Sequence, residues 1–333
     1  SKVSAIIVDG GHAAGGCALA SVLGSKNVKA IAVKGDFEIN VANPERIERL
    51  NKTIGPKILA SKHSKLNRTV GSYVRVISTF QKRGILPVYN NQDEHWEDDK
   101  VERLLSITKL HREKSSCSSC IEPCCDIVKI TSGKYAGTHA LSVQANSGYG
   151  FGSRLGIDDP EVVVKATSLA DNLGLDIDNV STIISWAFEL YEKGIITKED
   201  TDGLELRWGN SEALLELLER IAYRKGFGDI LADGFKSASL RIGRGSEYYL
   251  WTVKDSGIVD AVRSAIAWGF GHMVSVRGAR HLDGSPTTEA REIPPQVSLN
   301  LFGVETASIQ LTYEGKAKLV FWTENFKAIV DSL

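Results

Sequence analysis

Four of the five cysteines in this 333-residue chain fall within eleven residues, Ser115 to Cys125, which read Ser-Ser-Cys-Ser-Ser-Cys-Ile-Glu-Pro-Cys-Cys. Cys117, Cys120 and Cys124 follow a C-x2-C-x3-C spacing, so a tight loop can turn three thiolates toward one soft metal centre. Cys125 is the weaker ligand, because neighbouring side chains of an extended segment point in opposite directions. A cubane iron–sulfur cluster would take its fourth donor from elsewhere in the chain. Zinc is the second reading, although no further C-x2-C or H-x3-5-H pair follows. A disulfide framework fits poorly with an odd cysteine total and no secretory leader. Idle surface thiols are the bland alternative.

The length allows two to three domains and a substantial core. Lys and Arg number 40 against 41 Asp and Glu, a net charge of −1, which points away from nucleic acid as a partner. No apolar run approaches the eighteen or so residues that span a bilayer, so the expectation is no membrane and a cytoplasmic location. The chain starts at Ser1 and holds one methionine, Met273, a pattern expected of a piece of something longer.

Val3 to Val8 reads as a buried strand, followed by Gly10, Gly11, His12, Ala13, Ala14, Gly15 and Gly16. That run matches neither G-x-G-x-x-G nor a Walker loop; it is backbone able to approach a ligand closely. Lys29 to Lys34 reads as a second strand. Helices then dominate: Asn43-Pro44-Glu45 opens one through Ile54, and Leu66–Phe80 and Asp98–Leu110 follow. Pro87 to Trp96 reads as loop, and Ile127–Thr131 and Thr138–Val143 as short strands. Gly148-Tyr-Gly-Phe-Gly152 is costly as helix interior, leaving a flexible loop or a close approach to a ligand.

Asp159-Pro160-Glu161 opens a helix that Gly174 closes, which puts Asp171 in its last turn and Asp176 just past its end. Acids there oppose the helix dipole unless a donor-rich partner compensates; taken alone, the stretch reads as solvated surface acids. Asn179 or Ser181 opens the next helix through Trp186, Phe188 and Leu190, and Ser211 another. Phe227–Arg241 reads as a helical hairpin, Ile258–Gly269 as a helix, and Gly315–Leu333 as amphipathic with Leu319, Phe321 and Phe326 apolar. His63, His95, His111 and His139 stand in no motif, whereas His12, His272 and His281 lie among glycines. Arg277, Arg280, His281 and Asp283 share one loop, where arginines suit phosphate or carboxylate.

Together these stretches resemble the aldehyde:ferredoxin oxidoreductase family of tungsten or molybdenum bis-pterin enzymes. Gly24-Ser-Lys-Asn-Val-Lys-Ala-Ile31 is similar to that family's G-S-K-N-L-K-A-I segment, and the cysteine loop to its cluster motif. Asp171-Asn-Leu-Gly-Leu-Asp176 looks like its D-x-x-G-L-C/D pterin motif, and Asp331-Ser332-Leu333 like the start of a second copy whose cysteine is the fourth cluster ligand. The expectation is that the natural protein continues Gly-Leu-Cys and that most of an N-terminal β domain precedes Ser1. His12-Ala-Ala-Gly-Gly-Cys-Ala18 stands where the family has R-A-A-G-R-G-G, Val143-Gln-Ala-Asn-Ser147 where some members have P-E-Y-E-T, and Ser275 where some have histidine.

The resemblance implies a mainly α fold: residues 1–38 ending an N-terminal pterin-binding β domain, 39–240 a helical domain, and 241–333 part of a second one. It implies oxidation of an aldehyde to a carboxylic acid at a tungstopterin or molybdopterin centre, with magnesium as a further companion, and electrons leaving through a 4Fe-4S cluster to ferredoxin. On that reading Cys117, Cys120 and Cys124 hold the cluster. Asp171, Gly174, Leu175, Asp176, Asp331, His12 and Ala13 contact pterin, Arg277 its phosphate, and His281 is the acid/base residue. The family suggests a homodimer. The substitutions at His12, Gly16, Asn146 and Ser275 motivate one rival, a scaffold that has lost the metal; a cluster-only electron carrier is the second.

Overall fold

The protein is described from a computed structural model covering residues 1–16, 18–37, 39–260, 262–284, 289 and 293–332. Two short strands, β1 (Ile6–Val8) and β2 (His12–Ala14), pair antiparallel, and α1 (Leu19–Ser25) follows. Next come α2 (Pro44–Ala60), α3 (Lys62–Arg83) and α4 (Asp98–Leu105) with a 3-10 turn at Ser106–Lys109. A three-stranded antiparallel sheet, β3 (His111–Ser115), β4 (Cys125–Lys129) and β5 (His139–Val143), leads into α5 (Ala145–Phe151), α6 (Pro160–Leu173) and α7 (Ile177–Glu192). The chain continues through α8 (Ser211–Tyr223), α9 (Phe227–Ala232), α10 (Phe235–Ile242), the hairpin β6 (Thr252–Val253) and β7 (Ser256–Gly257), α11 (Ile266–Val274), α12 (Pro295–Phe302) and α13 (Lys316–Asp331). The architecture is mainly α.

Local chemistry sets the helix ends. Asn43 accepts from the Arg46 N–H at 2.9 Å with Pro44 at the first helical position of α2, and Asp159 does the same for the Glu161 N–H at 2.8 Å before Pro160 in α6. α6 ends at Gly174 with φ 67°, the left-handed turn that glycine adopts without strain. α7 begins at Ile177, earlier than the expected Asn179 or Ser181, because the Asp176 carboxylate just before it caps the N–H groups of Asp178 and Asn179. Nearly all of α7 is buried: Val180, Ile183, Ile184, Trp186, Phe188 and Leu190 sit at the centre of the main core. At about 1.5–3 kcal/mol for each large side chain, this one helix anchors the scaffold. A smaller core joins Ala267, Phe302, Ala307, Leu319 and Val320.

Several expectations need correction. Residues 29–34 form no strand; Ile31 and Val33 stand exposed, since an apolar alternation makes a strand only where a partner edge meets it. β3 was not legible because its charges alternate: Arg112 and Lys114 turn inward to the buried Asp126, while Glu113 pairs outward with Lys129. The expected helix at Ile258–Gly269 starts only at Ile266, and α1 and α12 lacked a readable period. On α13 Leu319 is buried, but Phe321 and Phe326 face outward.

The glycine-rich run is helix α5, not loop. Its glycines serve packing: a Cβ on Gly148 would lie 2.4 Å from Ile77 Cδ1 of α3, and one on Gly150 2.9 Å from Ser181 Oγ of α7. α5 is squeezed between two helices at a distance only glycine allows. Gly152 ends it with φ −97° and ψ −104°, and a Cβ there would sit 2.1 Å from the Gly148 carbonyl oxygen. Gly152→Ala is expected to destabilise by about 3 kcal/mol through overpacking of the added methyl against the Gly148 carbonyl and Leu104, read as a lowered urea midpoint at unchanged slope.

Candidate functional site: two adjoining cavities beside a thiol hairpin

The reversal between α6 and α7 is laced to the N-terminal segment. Ala5 N–H donates to the Gly174 carbonyl and Asp176 N–H to the Val3 carbonyl, both at 2.9 Å, and Leu175 is buried in a bridge with Ser4. Gly174 and Leu175 thus shape the turn by backbone, and neither is among the described residues that line the two cavities beside it. The glycine loop then returns to the same place: Gly16 N–H donates to Asp176 Oδ2 at 2.5 Å, and a Cβ on Gly15 would lie 2.8 Å from that oxygen.

A cavity of about 280 Å³ opens here. His12 and Ala13 of β2, Asp171 of α6, Asp176, Arg277 and Arg280 line it, five of them expected cofactor contacts. Arg280 bridges Asp176 Oδ2 at 3.2 Å and Asp178 Oδ2 at 3.3 Å. The Asp176 carboxylate is saturated by protein donors: the N–H groups of Gly16, Asp178 and Asn179, the Asn179 amide and Arg280. Asp171 is the opposite case. Its Oδ2 is buried without a hydrogen-bond partner, and burial pushes its carboxyl up to about 7. An orphaned acceptor of this kind fits a ligand rich in N–H donors, as a pterin is. Arg277, whose Nε donates to Asp283 at 2.5 Å, and Arg280 add positive charge that suits an anionic group.

A second cavity of about 500 Å³ adjoins the first and shares Gln144, Asn146, Asp178 and Leu282 with it. His281, the expected acid/base residue, lines it. His281 Nδ1 lies 2.8 Å from Asp260 Oδ2, which also accepts from Trp268 Nε1 at 3.1 Å, while Tyr149 donates to Asp260 Oδ1 at 3.1 Å. His272 lies beneath, its Nε2 3.4 Å from Asp260 Oδ2 and its Nδ1 against the Trp268 carbonyl at 2.8 Å. Burial opposes the charge on Asp260, but His281, with His272 close by, outweighs it and holds the carboxyl well below the usual range. Burial likewise favours neutral His281, and the charge of Asp260 overrides it and raises the imidazole above its ordinary value. The loop carrying Asp260 is clamped by the buried Arg154, which donates to the Ile258 and Val259 carbonyls at 2.7 and 2.8 Å.

The cysteines occupy the hairpin loop between β3 and β4, closed by the pairing of Ser115 with Cys125. Cys117 and Cys120 are exposed, Cys124 is half-buried, and none of the three lines either cavity. The loop nevertheless abuts both. The Ser72 N–H donates to the Cys124 carbonyl at 2.9 Å at the Gly71 kink of α3, Ser72 lines the larger cavity, and Ser142, one strand over from β4, lines the smaller. The neighbouring Cys125 thiol, 3.9 Å away, lowers the Cys124 thiol below its ordinary value. Asp331 lies elsewhere, exposed at the end of α13 and ion-paired with Lys327, and Leu333 lies outside the described residues. Asp178, Asp260 and the role of His272 were missed in the sequence because nothing local links them; only the fold brings them to His281.

These features define a class: a mainly helical protein with paired polar and aromatic cavities beside a thiol hairpin. The chain belongs to the aldehyde ferredoxin oxidoreductase family, whose domains 2 and 3 match residues 49–333. It is 29% identical over 341 residues to the tungsten-containing aldehyde ferredoxin oxidoreductase of Pyrococcus furiosus, covering 99% of this chain and 53% of that protein. To the WOR-like subunit of an aliphatic sulfonate oxidoreductase from the same organism it is 30% identical, covering 84% and 46%. The chain spans about half the length of these relatives. In three dimensions it is similar to the active-site complex BamBC of benzoyl coenzyme A reductase bound to 1,5-dienoyl-CoA. There the TM-score is 0.60 at 25% identity, covering 74% of this chain and 38% of that one. Among the described residues no helix is long and apolar enough to cross a membrane.

Proposed function

We propose that this chain carries the cofactor and substrate pockets of a tungsten or molybdenum bis-pterin oxidoreductase that oxidises an aldehyde to a carboxylic acid and passes electrons to ferredoxin. The observation that carries the reading is the unpartnered buried Oδ2 of Asp171 in a cavity that also holds two arginines. When bound, the metal–pterin centre supplies the two-electron oxidation and a four-iron cluster divides the electrons into single transfers.

The chain's own residues divide the remaining work. Asp171 accepts ring or amino N–H donors of the pterin, Arg277 and Arg280 meet its phosphate, and His12 and Ala13 form the wall of β2. Asp176 acts indirectly, by capping α7 and fixing Arg280 and the glycine loop. Cys117, Cys120 and Cys124 would hold the cluster in the hairpin beside both cavities. His281 takes up a proton at Nε2 from the reacting centre; Asp260, bonded to Nδ1, holds its tautomer and stabilises the cation that results.

Metal analysis of the full-length protein, purified without oxygen, tests the reading. Tungsten or molybdenum together with about four irons per chain is the expected result. Iron alone would reassign the protein as an electron carrier, and neither metal would reduce it to a scaffold. In the Cys117→Ser, Cys120→Ser double variant the iron is expected to fall to under about a tenth, with loss of the cluster's visible absorption.

A further inference from the structure

The larger cavity carries information on what the site accepts. Its apolar wall is built by Val76 and Phe80 of α3, Tyr149 of α5, Trp268 of α11 and Leu282. Phe80 stacks with Tyr149 at a centroid separation of 6.0 Å and meets Trp268 edge-on at 6.2 Å, and Trp268 lies 5.3 Å from the His281 ring. The polar handles of this wall are spent elsewhere: the Tyr149 hydroxyl and the Trp268 indole N–H both donate to Asp260. What Tyr149 and Trp268 leave to the cavity is ring. The polar end is different, for Gln144, Asn146 and Asp178 lie at the boundary shared with the smaller cavity, and His281 stands nearby.

Resting on the oxidoreductase reading above, we infer that the substrate is an aromatic aldehyde, its ring held by Phe80, Tyr149 and Trp268 and its carbonyl at the Asn146 and His281 end. A volume of about 500 Å³ is in the range of pockets that enclose ring-sized ligands and far exceeds a two-carbon aldehyde. Against Val76, Phe80, Tyr149, Trp268 and Leu282 the hydroxyls of a polyhydroxy aldehyde would find no free donor or acceptor, and the polar side chains of Ser72, Arg75 and Thr79 that also line the cavity all come from α3. An aliphatic chain would be buried, but it lacks the edge-to-face complementarity that these rings offer to another ring. The balanced reaction is Ar–CHO + H2O → Ar–COO− + 3 H+ + 2 e−. The aldehyde C–H bond breaks, a C–O bond to water oxygen forms, one proton goes to His281, and the electron pair passes to two equivalents of oxidised ferredoxin.

Two measurements on the full-length, metal-loaded protein test this separately from the reading it rests on. The first is calorimetric binding of benzamide and acetamide, unreactive stand-ins for the two aldehydes. The second is oxidation of benzaldehyde, acetaldehyde and glyceraldehyde with a viologen dye as acceptor. Benzamide is expected to bind about 100-fold tighter than acetamide, from the added apolar surface, with benzaldehyde favoured by a similar factor in kcat/KM. Phe80→Ala is expected to narrow the amide ratio to under about tenfold. Equal amide affinities, or acetaldehyde or glyceraldehyde oxidised as well as benzaldehyde, overturn the inference and leave the oxidoreductase standing. Tight benzamide binding with no aldehyde oxidised overturns the aldehyde chemistry and upholds the ring site.

Discussion

Asp260→Asn is expected to lower kcat by on the order of 10³-fold while tungsten or molybdenum and iron stay bound. The carboxylate does three things at once: it accepts from His281 Nδ1, from the Trp268 indole and from the Tyr149 hydroxyl, all in a buried setting. An asparagine at 260 keeps the shape but offers one acceptor oxygen instead of two, so either Tyr149 or His281 and Trp268 together lose their acceptor. The charge is lost as well, and with it the force that raises His281 above its ordinary value. Activity needs neutral His281 to accept the proton, so the rate in the natural protein rises as pH passes through this raised value. In the variant the acid limb of kcat/KM is expected to move to lower pH, toward the ordinary histidine range, while the plateau collapses. A purely structural role for Asp260 would lower the plateau and leave the limb in place. The pH profile therefore decides between them.

What could be read along the chain was whatever is written locally. The bounds of α6 follow from Asp159-Pro160-Glu161 at one end and Gly174 at the other, and they suffice to place Asp171 and Asp176 on either side of one turn. The cysteine spacing likewise marks a loop without reference to the rest of the protein. Local spacing could not say that Asp176 is already saturated by protein donors while Asp171 is orphaned, because the deciding partners, Gly16 and Arg280, lie more than a hundred residues away on either side. Asp260 and His272 were invisible for the same reason. The errors share a cause. α5 reads as loop by propensity, yet its glycines are what lets α3 and α7 close on it, and β3 reads as polar coil because its inward charges find Asp126 rather than apolar neighbours. Residues 29–34 fail in the reverse direction, having the composition of a strand without an edge to pair with.

Asp171→Asn is expected to stabilise the fold and to empty the site, two effects of opposite sign from one side chain. In the folded chain burial lifts the Asp171 carboxyl from 3.8 to about 7, whereas in the unfolded chain it keeps its ordinary value. Between about pH 4 and pH 7 the folded state therefore binds a proton that the unfolded state has released, and stability falls as pH rises across that window. Above it the whole penalty is in place, roughly 2–4 kcal/mol once relaxation around the buried charge is allowed for. An asparagine removes the penalty, so urea unfolding of protein grown without tungsten or molybdenum should show the variant more stable at pH 8 and little different at pH 4. Metal-loaded protein should show the reverse. The amide places N–H donors where the pterin's own donors need an acceptor, and metal retention is expected to drop at least about tenfold. A carboxylate kept buried and unpaired at a measurable penalty to the fold is most simply one waiting for a donor-bearing ligand. Should the variant bind metal as well as the natural protein, Asp171 is not that ligand's partner and the smaller cavity loses its assigned occupant.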